Sequence, residues 1–141
     1  MTVRTAASVT KGDALPPRTL HSERATLVRY AGASLDFNPI HWDGDFAREV
    51  GLPDVIAHGM FTMGAAAAVA TDWAGDAGRV VRYTTKFVGP VVVPREGGAD
   101  VELGGTVTAV DHATRRVTVE LTATHEGAKV LGRALLVLQL D

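Results

Sequence analysis

The stretch Gly59-Met60-Phe61-Thr62-Met63-Gly64-Ala65-Ala66-Ala67-Ala68-Val69-Ala70-Thr71-Asp72-Trp73 decides the fold. It predicts a helix over about 59–73 whose only polar side chains are Thr62, Thr71 and Asp72, so nearly its whole circumference is apolar. A helix of that kind has to be covered on all sides. Its small residues, Gly64 through Ala68, let a sheet come in close.

The residues after it supply the sheet, with strands expected over about 79–140. Val101, Leu103, Val107 and Ala109 alternate with Glu102, Thr106 and Thr108. Val117, Val119, Leu121 and Ala123 alternate with Thr118, Glu120, Thr122 and Thr124. This is the period of a strand with one buried and one wet face. Residues 79–88 read as a strand with Tyr83, Thr85 and Phe87 on one face. Residues 130–140, apolar on both faces apart from Arg133 and Gln139, read as a strand covered on both sides. Turns are expected near Asp111–Thr114 and Glu126–Lys129.

Upstream the pattern is helical. Ser22 is placed to cap a helix through Glu23–Ala33, with Leu27, Tyr30 and Ala31 on one face. Asn38 followed by Pro39 reads as an N-cap with proline at the first helical position, opening a helix over Ile40–Val50 that stops at Gly51. Residues 1–20 are expected to be irregular, because Pro16-Pro17 blocks regular structure. The expectation is one α+β domain spanning 1–141, a long antiparallel sheet curled around one buried helix.

Composition narrows the function. The net charge of −2 and scattered basic residues give no electrostatic case for nucleic acid or an anionic membrane surface. There is no cysteine, which excludes disulfides, thiolate nucleophiles and thiolate metal sites. The first residues, MTVRTAASVTKGD, lack the apolar core of a secretion signal, and Met60–Ala70 is too short to span a bilayer. The expected setting is the cytoplasm.

Asp36 and His41 are the residues with chemistry to offer. Asp36 precedes the capped helix start and His41 lies on its first turn, so a carboxylate and an imidazole can converge on one point. Histidine exchanges protons at neutral pH. Such a pair can supply both the base and the acid that a proton-transfer reaction needs. On spacing alone the same residues also fit capping and surface roles. The second candidate is Ile56-Ala57-His58-Gly59-Met60. The Gly59 amide, at the positive end of a buried helix, can hold a carbonyl and stabilise developing negative charge. His58 reads as a structural group bonded near the helix start. His41, Asp43 and His58 match no metal-ligand spacing, so neither a metal nor a cofactor is expected. Trp42 and Trp73 read as packing residues.

The run Tyr30-Ala31-Gly32-Ala33-Ser34-Leu35-Asp36-Phe37-Asn38-Pro39-Ile40-His41-Trp42-Asp43 resembles the hydratase 2 motif of MaoC-like (R)-specific enoyl hydratases and 3-hydroxyacyl dehydratases. Gly51 and Ile56–Met60 fall where that family has its glycine and Ala-His-Gly-Met elements. Within the family the chain is similar to the catalytic subunits of heterodimeric mycobacterial (3R)-hydroxyacyl-ACP dehydratases. The resemblance implies a single hot-dog fold and reversible hydration of a trans-2-enoyl thioester on acyl carrier protein or coenzyme A, in fatty-acid elongation. It makes Asp36 and His41 the catalytic dyad and groups Gly59, Asn38, Ser34 and His58 on the substrate-binding side. Gly59 would hold the thioester carbonyl, Asn38 brace the dyad and Ser34 shape the loop. It also implies a homodimer, or a heterodimer with a related hot-dog subunit. The family has glycine where this chain has Leu35, a departure that touches the loop presenting Asp36. Other readings are a hot-dog acyl thioesterase and a non-catalytic acyl-binding subunit of a heterodimer.

Overall fold

The computed structural model describes residues 3–141; Met1 and Thr2, part of the segment expected to be irregular, lie outside them. Strand β1 (Ala14–Ser22) leads into helix α1 (Arg24–Ser34), a single 3-10 turn (Pro39–His41), helix α2 (Gly44–Glu49) and helix α3 (Gly59–Ala74). Strands β2 (Val80–Phe87), β3 (Ala99–Asp111), β4 (Arg116–His125), β5 (Ala128–Lys129) and β6 (Leu131–Gln139) follow. The sheet runs β1-β3-β4-β6-β2, with β5 pairing β4 at the side, and every pairing is antiparallel. It wraps α3 as the hot-dog fold does.

The core is the inner face of this sheet against one flank of α3. Val117, Val119, Leu121 and Ala123 of β4 are all buried, as their alternation predicts, alongside Leu136 and Leu138 of β6. Ala66, Val69, Ala70, Trp73 and Ala74 of α3 join the same cluster. The other flank of α3 is not covered by the described residues. Met60 is 59% exposed, Gly64 is exposed, and Met63, Ala67 and Ala68 are half-buried. The expectation of cover on all sides is therefore met by the sheet on one side only.

Local structure corrects the sequence reading at several points. Residues 14–22 form an edge strand rather than an irregular segment. The ladder slips between Leu15 and Arg18, so Pro16 and Pro17 sit in an irregularity where their missing N–H groups cost no sheet bond. Ser22 ends that strand and is buried, while Glu23 takes the N-cap position of α1. The helix expected over 40–50 is two pieces, interrupted at Trp42 (φ −145°). Asp43 restarts it by accepting from the Asp45 and Phe46 amides, a stronger local signal than continuation. In β3 a register shift between Val107 and Ala109 turns Ala109 to solvent and brings Val110 toward the core, since a bulge inverts the alternation beyond it. On β6 the outward-facing Leu135 and Val137 are only half-buried. Trp73 packs in the core, but Trp42 is 48% exposed and works instead as a clasp, its indole N–H donating to the Phe37 carbonyl at 3.0 Å.

Candidate active site

Asp36 and His41 are brought together by a short, heavily bonded loop between α1 and α2. Ser34 donates its hydroxyl to the Tyr30 carbonyl (2.8 Å) and accepts from the Asp36 amide (3.3 Å). Asp36 Oδ1 accepts from the Asn38 amide at 3.2 Å, and Asn38 Oδ1 from the Ile40 amide at 3.2 Å. These are turns in which a side-chain carbonyl or carboxylate replaces a backbone partner. They leave Asp36 Oδ2 free, and it stands 3.9 Å from His41 Nε2. That is too long for a direct hydrogen bond. An oxygen atom placed about 2.8 Å from each would bond to both.

The two residues differ in environment. His41 is buried, whereas the Asp36 side chain is 53% exposed. His41 Nδ1 lies 2.7 Å from the Ile56 carbonyl. A carbonyl only accepts, so Nδ1 carries the proton of the neutral ring and the Nε2 lone pair faces Asp36.

Leu35 occupies the left-handed region, φ 61° and ψ 18°, at the C-terminus of α1. Leucine thus holds a backbone conformation that glycine adopts more readily. Its side chain is 76% exposed.

The dyad opens onto a cavity of about 510 Å³ lined by Asp36, His41, Ile56, Ala57, Gly59, Met60 and Thr62, together with Phe87, Val88, Gly89, Pro90, Val91 and Val130. Its size suits a small-molecule ligand, and its walls are mostly apolar with few polar groups, as such sites usually are. Gly59 is the first residue of α3. Neither its amide nor that of Met60 bonds to another backbone group, so both are free at the positive end of the helix. A Cβ at Gly59 would stand 2.9 Å from Phe87 Cε1, so glycine is needed here for the Phe87 ring to pack over the helix start.

Of the residues grouped as substrate-binding, only Gly59 lines the cavity; Ser34 and Asn38 are exposed on the loop and His58 is buried. His58 is 1% exposed. Its Nε2 lies 3.1 Å from the Asp36 carbonyl, and its ring stacks on His41 with centroids 3.7 Å apart. Burial pushes its pKa below the usual imidazole range, with His41 adding to that effect while the Asp36 carbonyl and carboxylate oppose it. Nothing in the sequence marks Phe87–Val91 or Val130 as cavity walls. Val91 arrives through the pairing of residues 55–57 with 91–93, in which Ala57 donates to Val91 and Val93 to Val55, and Val130 through its carbonyl, which accepts from Val88.

Asp36, His41 and His58 offer ligand atoms within 4.8 Å of one another, the one candidate metal cluster among the described residues. The geometry does not suit a metal. A metal lies in the plane of each ligating imidazole, but the two rings are stacked with only 22° between their planes, which aims their lone pairs side by side. One nitrogen of each ring also already faces a carbonyl. Asp43, considered earlier as a ligand, is occupied capping α2.

Asp36, His41 and the start of α3 with its free amides thus meet at one mostly apolar cavity on a hot-dog scaffold. Residues 5–127 match the MaoC like domain family, and the chain belongs to that family. The 3-hydroxyacyl-thioester dehydratase X of Mycobacterium tuberculosis is 36% identical over 111 residues, 72% of this chain and 39% of that protein. The (R)-specific enoyl-CoA hydratase of Rhodospirillum rubrum is 34% identical over 106 residues, covering 74% of this chain and 71% of that protein. Among solved structures, a MaoC-like dehydratase superposes with a TM-score of 0.95 at 42% identity, over 99% of this chain and 43% of that one. The (R)-hydratase from A. caviae involved in PHA biosynthesis gives 0.84 at 24% identity, over 95% and 98%, a likeness of fold. The chain therefore spans less than half the length of two of these relatives. Among the described residues no helix is long and apolar enough to cross a membrane.

Proposed function

We propose that this chain catalyses reversible hydration of a trans-2-enoyl thioester to the (3R)-hydroxyacyl thioester, in the cytoplasm and in the service of fatty-acid elongation. The observation that carries this reading is the 3.9 Å gap between Asp36 Oδ2 and His41 Nε2, at the cavity that Gly59 also lines. A water molecule held in that gap is oriented by the carboxylate and bonded to the basic nitrogen. In hydration its oxygen bonds to C3 while His41 Nε2 takes one of its protons. The π electrons move toward the thioester carbonyl, whose growing negative charge rests on the Gly59 amide. His41 then returns the proton to Cα on the same face, and Asp36 stabilises the imidazolium in between. Dehydration is the same sequence reversed.

The substrate is an acyl group on acyl carrier protein or coenzyme A, its apolar chain received by the cavity. The unused flank of α3 and the edge strand β2, where Val81, Phe87 and the adjoining Val88 are exposed, form the seat of a second hot-dog domain. That domain is a copy of this chain or a related subunit, in line with relatives that are about twice as long. The test is loss of conjugated-enoyl absorbance with crotonyl-CoA and a longer-chain substrate, comparing wild type with His41→Ala, with and without a candidate partner. Turnover in wild type and none in the variant is expected. Equal rates in both, or free thiol release in place of hydration, would overturn the reading.

A further inference from the structure

We infer that His58 is a positioning residue that holds both members of the dyad at once, through a hydrogen bond to the Asp36 backbone and a stack against the His41 ring. The inference rests on the hydration reading for its kinetic consequence but on geometry for its substance.

His58 touches neither the cavity nor any substrate that fills it. Its ring lies between His41, with centroids 3.7 Å apart and 22° between planes, and Tyr30, edge-on at 4.8 Å. A neutral imidazole has a single N–H. With Nε2 3.1 Å from the Asp36 carbonyl, that N–H must be on Nε2, because the opposite tautomer would set a lone pair against the carbonyl oxygen. Nδ1 is then an acceptor, and it is buried with no hydrogen-bond partner. A histidine kept only to fill the core or cap a helix would have both nitrogens satisfied. His58 sits at the N-cap position of α3 and makes no side-chain cap bond, although that is where a short polar side chain normally serves the helix. The ring thus forgoes its cap and leaves a nitrogen unpaired while keeping its two contacts with the dyad.

The neighbouring residues complete the arrangement. The Ile56 carbonyl fixes the His41 tautomer from 2.7 Å, and the Ile56 amide bonds to the Ile40 carbonyl at 3.1 Å. Residues 56–59 therefore act as one mount: Ile56 orients His41, His58 fixes Asp36 and backs His41, and Gly59 presents the amide. The stack also restrains rotation of the His41 ring, holding Nε2 toward the gap.

The full chain, together with its partner subunit if turnover requires one, is compared with His58→Gln, His58→Phe and His58→Ala. Glutamine can still donate near the Nε2 position but loses the stack; phenylalanine keeps the stack but loses the donor. Both are expected to lower kcat at least tenfold with KM within threefold, and alanine, lacking both contacts, to lower it further. A rise in KM at unchanged kcat would make His58 a substrate contact and overturn the inference, as would kcat within twofold of wild type in all three. Imidazole nitrogen NMR gives a readout that needs no activity. The wild type is expected to show His58 protonated on Nε2 and His41 on Nδ1, and the His41 signals to lose their single tautomer in His58→Ala. An unchanged His41 spectrum there overturns positioning even if the protein proves inactive, whereas a wild type that shows the expected spectra but no turnover indicts only the assigned reaction.

Discussion

Gly59→Ala tests how tightly the helix start is shared between Phe87 and the substrate carbonyl. The added methyl would lie 2.9 Å from Phe87 Cε1 and 3.0 Å from Cδ1, against about 3.5–4.0 Å for ordinary carbon contacts. Over-packing of this degree costs about 1–3 kcal/mol. Phe87 is 53% exposed and can swing aside, which keeps the loss near the low end. The expected fall in Tm is roughly 3–6 °C. The ring's escape route is the cavity it lines, so activity should suffer more than stability. Losing a well-placed carbonyl donor costs about 10²-fold in kcat. Thermal unfolding and the enoyl-thioester assay are run on Gly59→Ala, Phe87→Ala and the double variant. Removing the ring should relieve the clash, making the double variant about 1 kcal/mol more stable than the sum of the singles predicts. A Gly59→Ala protein with unchanged Tm and activity within twofold, or strictly additive stabilities, would refute this account.

Asp36→Asn should keep the loop turns through its remaining carbonyl yet lower kcat by about 10²–10⁴-fold, with thermal stability near wild type in a melting experiment. Leu136→Ala, at a fully buried position, should cost about 2–5 kcal/mol in denaturant unfolding. Leu35→Gly removes a left-handed leucine that costs about 1–2 kcal/mol but adds unfolded-state freedom of about 0.5–1 kcal/mol. Stability should change by less than about 1 kcal/mol and turnover by only a few-fold, and a tenfold gain would show that leucine distorts the loop. His58, faced by Asp36, His41 and Tyr30, has its pKa lowered by burial. The unfolded chain therefore binds a proton below about pH 6.5 that the folded chain refuses. Stability should fall as pH drops through that region, by at most about 1.4 kcal/mol per pH unit for one proton, and His58→Gln should flatten the slope. The lowered carboxyl pKa values of Asp54, Asp111 and Asp141 act in a lower window, below about pH 4.

The parts of the fold legible in the sequence are those where one periodicity dominates. The apolar run of α3 and the alternation from Val117 to Ala123 have no competing local signal, and both appear as expected. The errors fall where a local device overrides the pattern. A double proline is compatible with an edge strand once the ladder slips beside it, but nothing in residues 14–22 says they lie at an edge. The bulge at Val107–Ala109 inverts a face by one residue, which alternation cannot reveal because its cause is the pairing with β4. At the site, Asp36, His41 and Gly59 were legible because they sit on two short motifs with local turn chemistry. The contact between those motifs was not, since the His58 bond to Asp36 spans a sequence separation of 22. The walls from Phe87 to Val91 are set by a pairing further away still.

That contact also explains how the chain tolerates Leu35. If the helix end alone set the Asp36 backbone, a residue resisting the left-handed region would be free to relax, carrying the carboxylate away from His41. The backbone instead stays at φ 61°, because Asp36 is held on both sides of its α-carbon. Its amide bonds to Ser34 and its carbonyl to His58, while Oδ1 is tied to the Asn38 amide. Strain of this kind persists only where the surroundings over-determine the conformation. Here the surroundings include the mount formed by residues 56–59, which reaches Asp36 through the His58 bond to its carbonyl.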